Sequence, residues 1–202
     1  MPRISAARAR QREGSLLNAA RKVFAANGFE KSTISDIARA AGLSDGLLYH
    51  YFGSKRDLLL AVLGEFYERI ITELGNSVSN ARGFDARFRA LVQVHVQTFV
   101  YDVDLCRLFI SEIRNFDEYV GSPAHELNRR YTAILLRVID EGVSEGRVSG
   151  DIDGRLIRDM LFGGIEHVAW RHISSGAFLD AHQIADDVSR LFLHGLLPGN
   201  SR

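Results

Sequence analysis

Apolar residues recur every three to four positions along almost the whole chain, and the stripes break at glycine or at short polar runs. Leu16, Leu17, Ala20, Val23 and Phe24 share one face of a helix that Asn27-Gly28 closes. Ile34, Ile37, Ala38 and Ala41 make a second, short helix ending at Gly42, and a third runs from about Asp45 to Phe52. Leu58, Leu59, Val62, Leu63, Phe66, Tyr67, Ile70 and Leu74 mark a long fourth helix, after which the polar stretch 76–83 reads as a joint. Phe88, Leu91, Val92, His95, Val96 and Phe99 form another amphipathic face, and 105–113 is a shorter apolar stretch. Leu127, Tyr131, Ile134, Leu135, Val138 and Ile139 predict a helix stopped around 142–146, and the last two helices cover 152–173 and 184–197. No segment alternates apolar and polar residues between hairpin turns, and only three prolines interrupt the chain. The predicted fold is all-α, with about nine helices.

Local signals are densest in the first sixty residues. Thr33, Ser44 and Ser54 stand as successive N-caps, with Asp36 and Asp57 three positions after the first and last. Between the second and third helices, Ala40-Ala41-Gly42-Leu43-Ser44 puts glycine where a left-handed turn residue is needed, which predicts a helix-turn-helix. The third helix is short and polar-aromatic. Leu48 and Phe52, four apart, bury together, so Tyr49 and His50 point away from the core. Such groups on a capped helix suit a DNA major groove, with Lys55 just beyond at a phosphate. The competing reading packs Tyr49, His50 and Tyr51 on neighbouring helices.

Charge changes the picture only once it is divided. The 202 residues hold 25 Lys+Arg and 25 Asp+Glu, and this zero net charge argues weakly against a nucleic-acid partner. Residues 1–60, however, carry ten basic and five acidic residues, a net +5, and the remainder carries −5. A cationic head and an acidic body suit a protein that meets an anion at one end. The 46% hydrophobic content is that of an ordinary globular chain of one or two domains. The single cysteine, Cys106, excludes an internal disulfide, and no apolar run approaches the ~20 residues of a membrane helix. With no apolar leader at the start, a cytoplasmic location is expected. The seven histidines lack metal-ligand spacing, and no phosphate loop or nucleophile elbow occurs, so no catalytic residues, metal or cofactor are expected.

Over residues 25–59 the chain resembles the DNA-binding domain of the TetR family. The resemblance lies in Gly28-Phe29, Thr33, Asp36-Ile37-Ala38, Ala41-Gly42, Leu48-Tyr49, Tyr51-Phe52, Lys55 and Leu58-Leu59. It implies a one-component regulator: a reading head over 1–55, a ligand-binding and dimerising body over 56–202, and a homodimer on a palindromic operator. By the same resemblance, Thr33 and Ser35 approach the DNA backbone and groove edge, and Ser44, Asp45, Gly46, Leu47, Tyr49, His50 and Tyr51 face the groove. Leu47 suits a thymine methyl. Asp45 either accepts from cytosine N4 or only satisfies the helix N-terminus. Arg3, Arg8, Arg10 and Arg12 are expected to form a mobile arm on the phosphates.

Within the body, 141–148 and especially Arg155–Trp170 resemble the FadR-type subgroup, which implies a tunnel for a fatty acyl-CoA, with Arg107 or Arg114 near its phosphates. Aromatic and polar groups on apolar faces make Phe66, His95, Phe99, Phe109, Ile113, Tyr131, Leu135, Met160 and His167 the pocket candidates. The helix 152–173 is apolar nearly all round, and the last helix is similar, so both need a second surface. A two-fold partner supplies it through Phe162, Ile165, Ala169, Trp170, Ile173, Val188, Leu191, Phe192 and Gly195. Gly163-Gly164 is expected to let helices approach closely. An effector preferring wrongly spaced heads would lower operator affinity, with the fourth helix as lever. The alternatives are a regulator of another effector (a drug, an antibiotic or a hydrophobic metabolite) and an all-α small-molecule binder that never meets DNA. Salt-dependent duplex binding separates the last from the others.

Overall fold

The computed structural model describes the backbone of residues 2–113 and 119–194, with side chains from Arg8 onward except Ile113. Arg114 and Gly195 lie outside the described residues, as do the side chains of Arg3 and Ile113. Among the described residues there are nine α-helices, one π-helical turn and no strand. They are α1 Pro2–Lys31, α2 Ile34–Ala41, α3 Asp45–Tyr51, α4 Lys55–Asn80, α5 Phe84–Tyr101, α6 Val103–Leu108, the π-helical turn Phe109–Ile113, α7 Pro123–Ser144, α8 Gly154–Ser175 and α9 Ala181–His194. The contacts gather into two units, Met1–Tyr67 with Arg107–Leu127, and Glu68–Cys106 with Asn128–Arg202. No described helix is long and apolar enough to cross a membrane.

In the first unit, Leu16, Ala20 and Phe24 of α1, Ile37 and Ala38 of α2, Leu48 of α3, and Leu58, Leu59 and Leu63 of α4 are all buried. Each fully buried leucine contributes about 1.5–3 kcal/mol, which is how a seven-residue α3 holds its shape. The α1 backbone leaves helical geometry at Gly28 (φ 75°, ψ 167°), where the Asn27-Gly28 stop was expected. Besides shifts of two or three residues at the ends of the last two helices, two stretches differ from the sequence expectation. Helix α1 begins at Pro2, so Arg8, Arg10 and Arg12 ride on a helix rather than on a mobile arm. The supposed joint 76–83 is mostly helix, because exposed Ser and Asn do not break a helix that has already propagated; the break falls at Gly83 (φ 78°).

In the second unit, α5 buries Phe84, Phe88, Leu91, Val92, Val96 and Phe99 and packs on α8 and α9. Its N-terminal end meets the end of α7 so closely that a Cβ at Gly142 would come within 2.6 Å of the Phe84 ring. Polar ties hold the same junction: Arg147 binds both oxygens of Asp85 at 2.8 Å, and Arg87 binds Glu141 at 2.5 Å.

Candidate nucleic-acid interface and effector chamber

Gly42 takes the left-handed conformation (φ 68°, ψ 30°) that turns α2 into α3, and the following N–H of Leu43 returns to Ala38 O at 2.9 Å. Thr33 and Asp36 form a reciprocal capping box, and the Thr33 hydrogen bond holds the Asp36 carboxyl below its ordinary range. Ser44 Oγ accepts from Leu47 N–H at 3.4 Å. With Leu48 and Phe52 buried, the other side of α3 shows Asp45, Gly46, Tyr49 and His50 to solvent, while Leu47 and Tyr51 are half-buried. Tyr49 is 55% exposed, and the His50 ring stands edge-on to Tyr51 at 5.8 Å. Thr33, Ser35 and Ser44 are exposed on the same unit, and Ser35 Oγ donates to the Asp45 carboxylate across the turn. Tyr49 and His50 are therefore not packed away on neighbouring helices, whereas Tyr51 is partly covered.

Lys55 has a first duty the sequence did not reveal. Its ammonium donates to the carbonyls of Phe29 (2.8 Å), Ser32 (3.1 Å) and Glu30 (3.3 Å) and lies 4.3 Å from the Phe29 ring centroid. Three donors thus meet three acceptors, and a phosphate contact at Lys55 would have to release one of them.

The interior of the second unit gathers a polar-aromatic cluster. His95 Nδ1 lies 2.9 Å from the Tyr131 hydroxyl, and the His95 ring is enclosed by Phe99 (5.2 Å), Tyr131 (5.7 Å) and Phe162 (4.5 Å). Burial holds the imidazole neutral, its pKa pushed down to about 3, and pushes the Tyr131 phenol and the Cys106 thiol up. His95 Nε2 is buried without a hydrogen-bond partner among the described residues. Nearby, buried Asp102 pairs with Arg69 at 2.8 Å. Leu135 is fully buried in the same unit, whereas Phe66 and Phe109 belong to the first unit, where both rings stand edge-on to Tyr67 at 5.6 Å.

Helix α8 sorts its apolar residues into two stripes. Leu161, Ile165, Ala169 and Ile173 are buried within the unit, so three positions expected at a partner surface already have a partner inside the chain. Phe162 likewise turns inward, against His95 and Tyr131. Met160, expected in the chamber, is 62% exposed, and His167 is exposed too. Gly163 and Gly164 face open space, so they serve no close approach inside this chain. A groove of about 740 Å³ runs over this outer side, lined by Leu156, Met160, Gly164, Val168, Val188, Leu191 and Phe192 among others. Trp170 is 43% exposed on α8. The reason for these shifts is phase: a helix apolar on every side gives no sequence signal for which stripe turns in.

Residues 16–62 match the pattern of bacterial regulatory proteins of the tetR family, and residues 82–196 match that of tetracyclin repressor-like C-terminal domains. The chain belongs to the TetR family. Among TetR-family relatives, the HTH-type transcriptional repressor KstR2 of Mycolicibacterium smegmatis is 30% identical, over 92% of this chain and 90% of its own length. The fatty acid metabolism regulator protein of Bacillus subtilis is 25% identical, over 90% and 93%. The solved structure of the transcriptional regulator FadR from Bacillus subtilis in complex with stearoyl-CoA covers 91% of this chain and 98% of its own, with a TM-score of 0.83 at 25% identity. The two family patterns leave 63–81 between them, a stretch that lies in α4 up to its last residue, Asn80.

Proposed function

We propose that this TetR-family regulator is a repressor that binds a palindromic operator as a homodimer and is released by a fatty acyl-CoA. Residues 1–55 read DNA, through Thr33, Ser35, Ser44, Asp45, Gly46, Leu47, Tyr49, His50 and Tyr51, and 56–202 bind effector and partner. The observation that carries the effector class is the likeness, over nearly the whole chain, to a FadR solved with stearoyl-CoA. The buried aromatic cluster of His95, Phe99, Tyr131 and Phe162, with one unused polar atom, supports it as the apolar surface an acyl chain would meet.

The partner surface is the outer side of α8 with α9. Exposed Leu156, Met160, Val168, Trp170 and Leu191 form an apolar face, and two mid-helix glycines with open space above them admit a second helix at short range. An effector preferring the spacing of heads that misfits the operator lowers DNA affinity by its differential binding energy, typically ~1–3 kcal/mol. The second reading, a different hydrophobic effector, is favoured by the 30% identical relative, which is not named for fatty acids.

One experiment addresses each part. Anisotropy on a duplex selected from a randomised library should show tight, salt-sensitive binding, weakened at least about fivefold by saturating stearoyl-CoA but not by free CoA. Unchanged affinity with stearoyl-CoA ends the acyl-CoA assignment and leaves the regulator standing. A monomeric mass at micromolar concentration ends the homodimer, and Met160→Asp should produce that mass if the outer side of α8 is the interface.

A further inference from the structure

Asp45 puts a carboxylate at the first position of α3, on the face that, in the function proposed above, meets a polyanion. A negative charge there weakens binding to every DNA sequence alike. The cap of α3 does not depend on it. The N-terminus of α3 is capped by Ser44, whose Oγ accepts from Leu47 N–H, and the Asp45 side chain crosses instead to α2 to accept from Ser35 Oγ. Beside it, Gly46 has nothing within 4 Å of where a Cβ would stand, so no packing inside the protein explains a residue that helices disfavour. Tyr49, one turn on, shares the exposed face.

We infer that Asp45 is a specificity-determining residue that accepts a hydrogen bond from the exocyclic amino group of a cytosine in the major groove, held for that task by Ser35. The inference rests on the DNA-reading function proposed above. A carboxylate only accepts, and with Oδ2 engaged by Ser35 it has Oδ1 to offer. Guanine presents N7 and O6 and thymine presents O4, all acceptors that repel it; adenine sets the acceptor N7 beside its amino group. Cytosine alone presents a donor and no acceptor of its own on the major-groove edge. The single Ser35 proton is committed to Asp45, so Ser35 cannot donate to a phosphate at the same time. Removing the carboxylate therefore frees that hydroxyl and removes two negative charges per dimer. Unlike an ordinary contact residue, Asp45 should restrain affinity for unrelated DNA while enforcing sequence.

The test uses the full-length chain, wild type and the variants Asp45→Asn, Asp45→Ala and Ser35→Ala, in selection from a randomised duplex library followed by anisotropy on single-pair variants of the selected site. Wild type should demand cytosine at one pair of each half-site, with substitution there costing about 5- to 150-fold in affinity. Asp45→Asn, isosteric, should move that preference to adenine, which Asn pairs bidentately. Asp45→Ala should flatten the preference and bind an unrelated duplex several-fold more tightly. Ser35→Ala should keep the cytosine preference in weakened form. A wild-type preference profile in Asp45→Asn at every position overturns the inference and leaves Asp45 to the helix dipole alone. Failure of the wild type to bind any duplex overturns the DNA-reading function itself, a result distinct from an unchanged profile.

Discussion

His50 stands exposed on α3 beside Tyr51, whereas His95 on α5 is closed in by Tyr131, Phe99 and Phe162. The same imidazole is thus offered outward in one unit and held inward in the other. On α3 the polar groups keep their water until something outside the chain displaces it, so they cost the fold little. Around His95 the desolvation is already complete, and one ring nitrogen is left unsatisfied. A reading surface can vary its residues almost freely. A chamber cannot, because each of its polar atoms is held at the expense of stability.

Substitutions should separate the two regions cleanly. His95→Ala removes a ring packed among three aromatics and its hydrogen bond to the Tyr131 hydroxyl, so urea denaturation should show a loss of about 3–4 kcal/mol. A loss below ~0.5 kcal/mol, the usual effect of a surface change, would erase the contrast with α3. Lys55→Met should cost about 2–3 kcal/mol, since three carbonyls, those of Phe29 and Ser32 part-buried, lose a charged donor. That result would put a structural residue at a position the family resemblance reads as a DNA contact; stability equal to wild type with weakened DNA binding would restore the phosphate reading.

Acid should act on the chamber through His95. Its folded pKa, about 3, lies below the ordinary 6.5, so the unfolded chain takes up a proton that the folded chain refuses. Its contribution is therefore intact above pH 6.5 and is lost as pH falls from 6.5 toward 3. Between pH 7 and 5 wild type should lose about 2 kcal/mol more than His95→Phe, measured by denaturation at each pH. Parallel pH curves for the two proteins would mean that the ring is reached by water. The smallest effect belongs to the surface: Tyr49→Ala should weaken operator binding about tenfold, roughly 1.4 kcal/mol, with no measurable shift in Tm.

The head was legible because its signals are local. Gly42 at φ 68°, the Thr33–Asp36 box and the Ser44 cap each involve residues within a few positions, and their chemistry names the conformation. Ser35 and Asp45, ten positions apart, were both singled out, yet nothing in their spacing says that one donates to the other. Lys55 reaches back across more than twenty residues to the end of α1, which no periodicity reports. In the body the helices themselves were readable, but their rotation was not. Helix α8 is apolar on both sides, and only packing decides that Ile165 and Phe162 turn in while Met160 turns out. Polar composition also misled at 76–80, where α4 continues through Ser and Asn because no glycine or proline stops it there.

The Lys55 clip has a mechanical side. Lys55 is the first residue of α4, and its ammonium fastens the chain around the end of α1, so the strand of backbone entering the reading head and the one leaving it are tied at a single point. The first turn of α4 therefore cannot fray without pulling on the end of α1. Without it, the end of α1 and the start of α4 would each keep their helical form but lose the fastening between them.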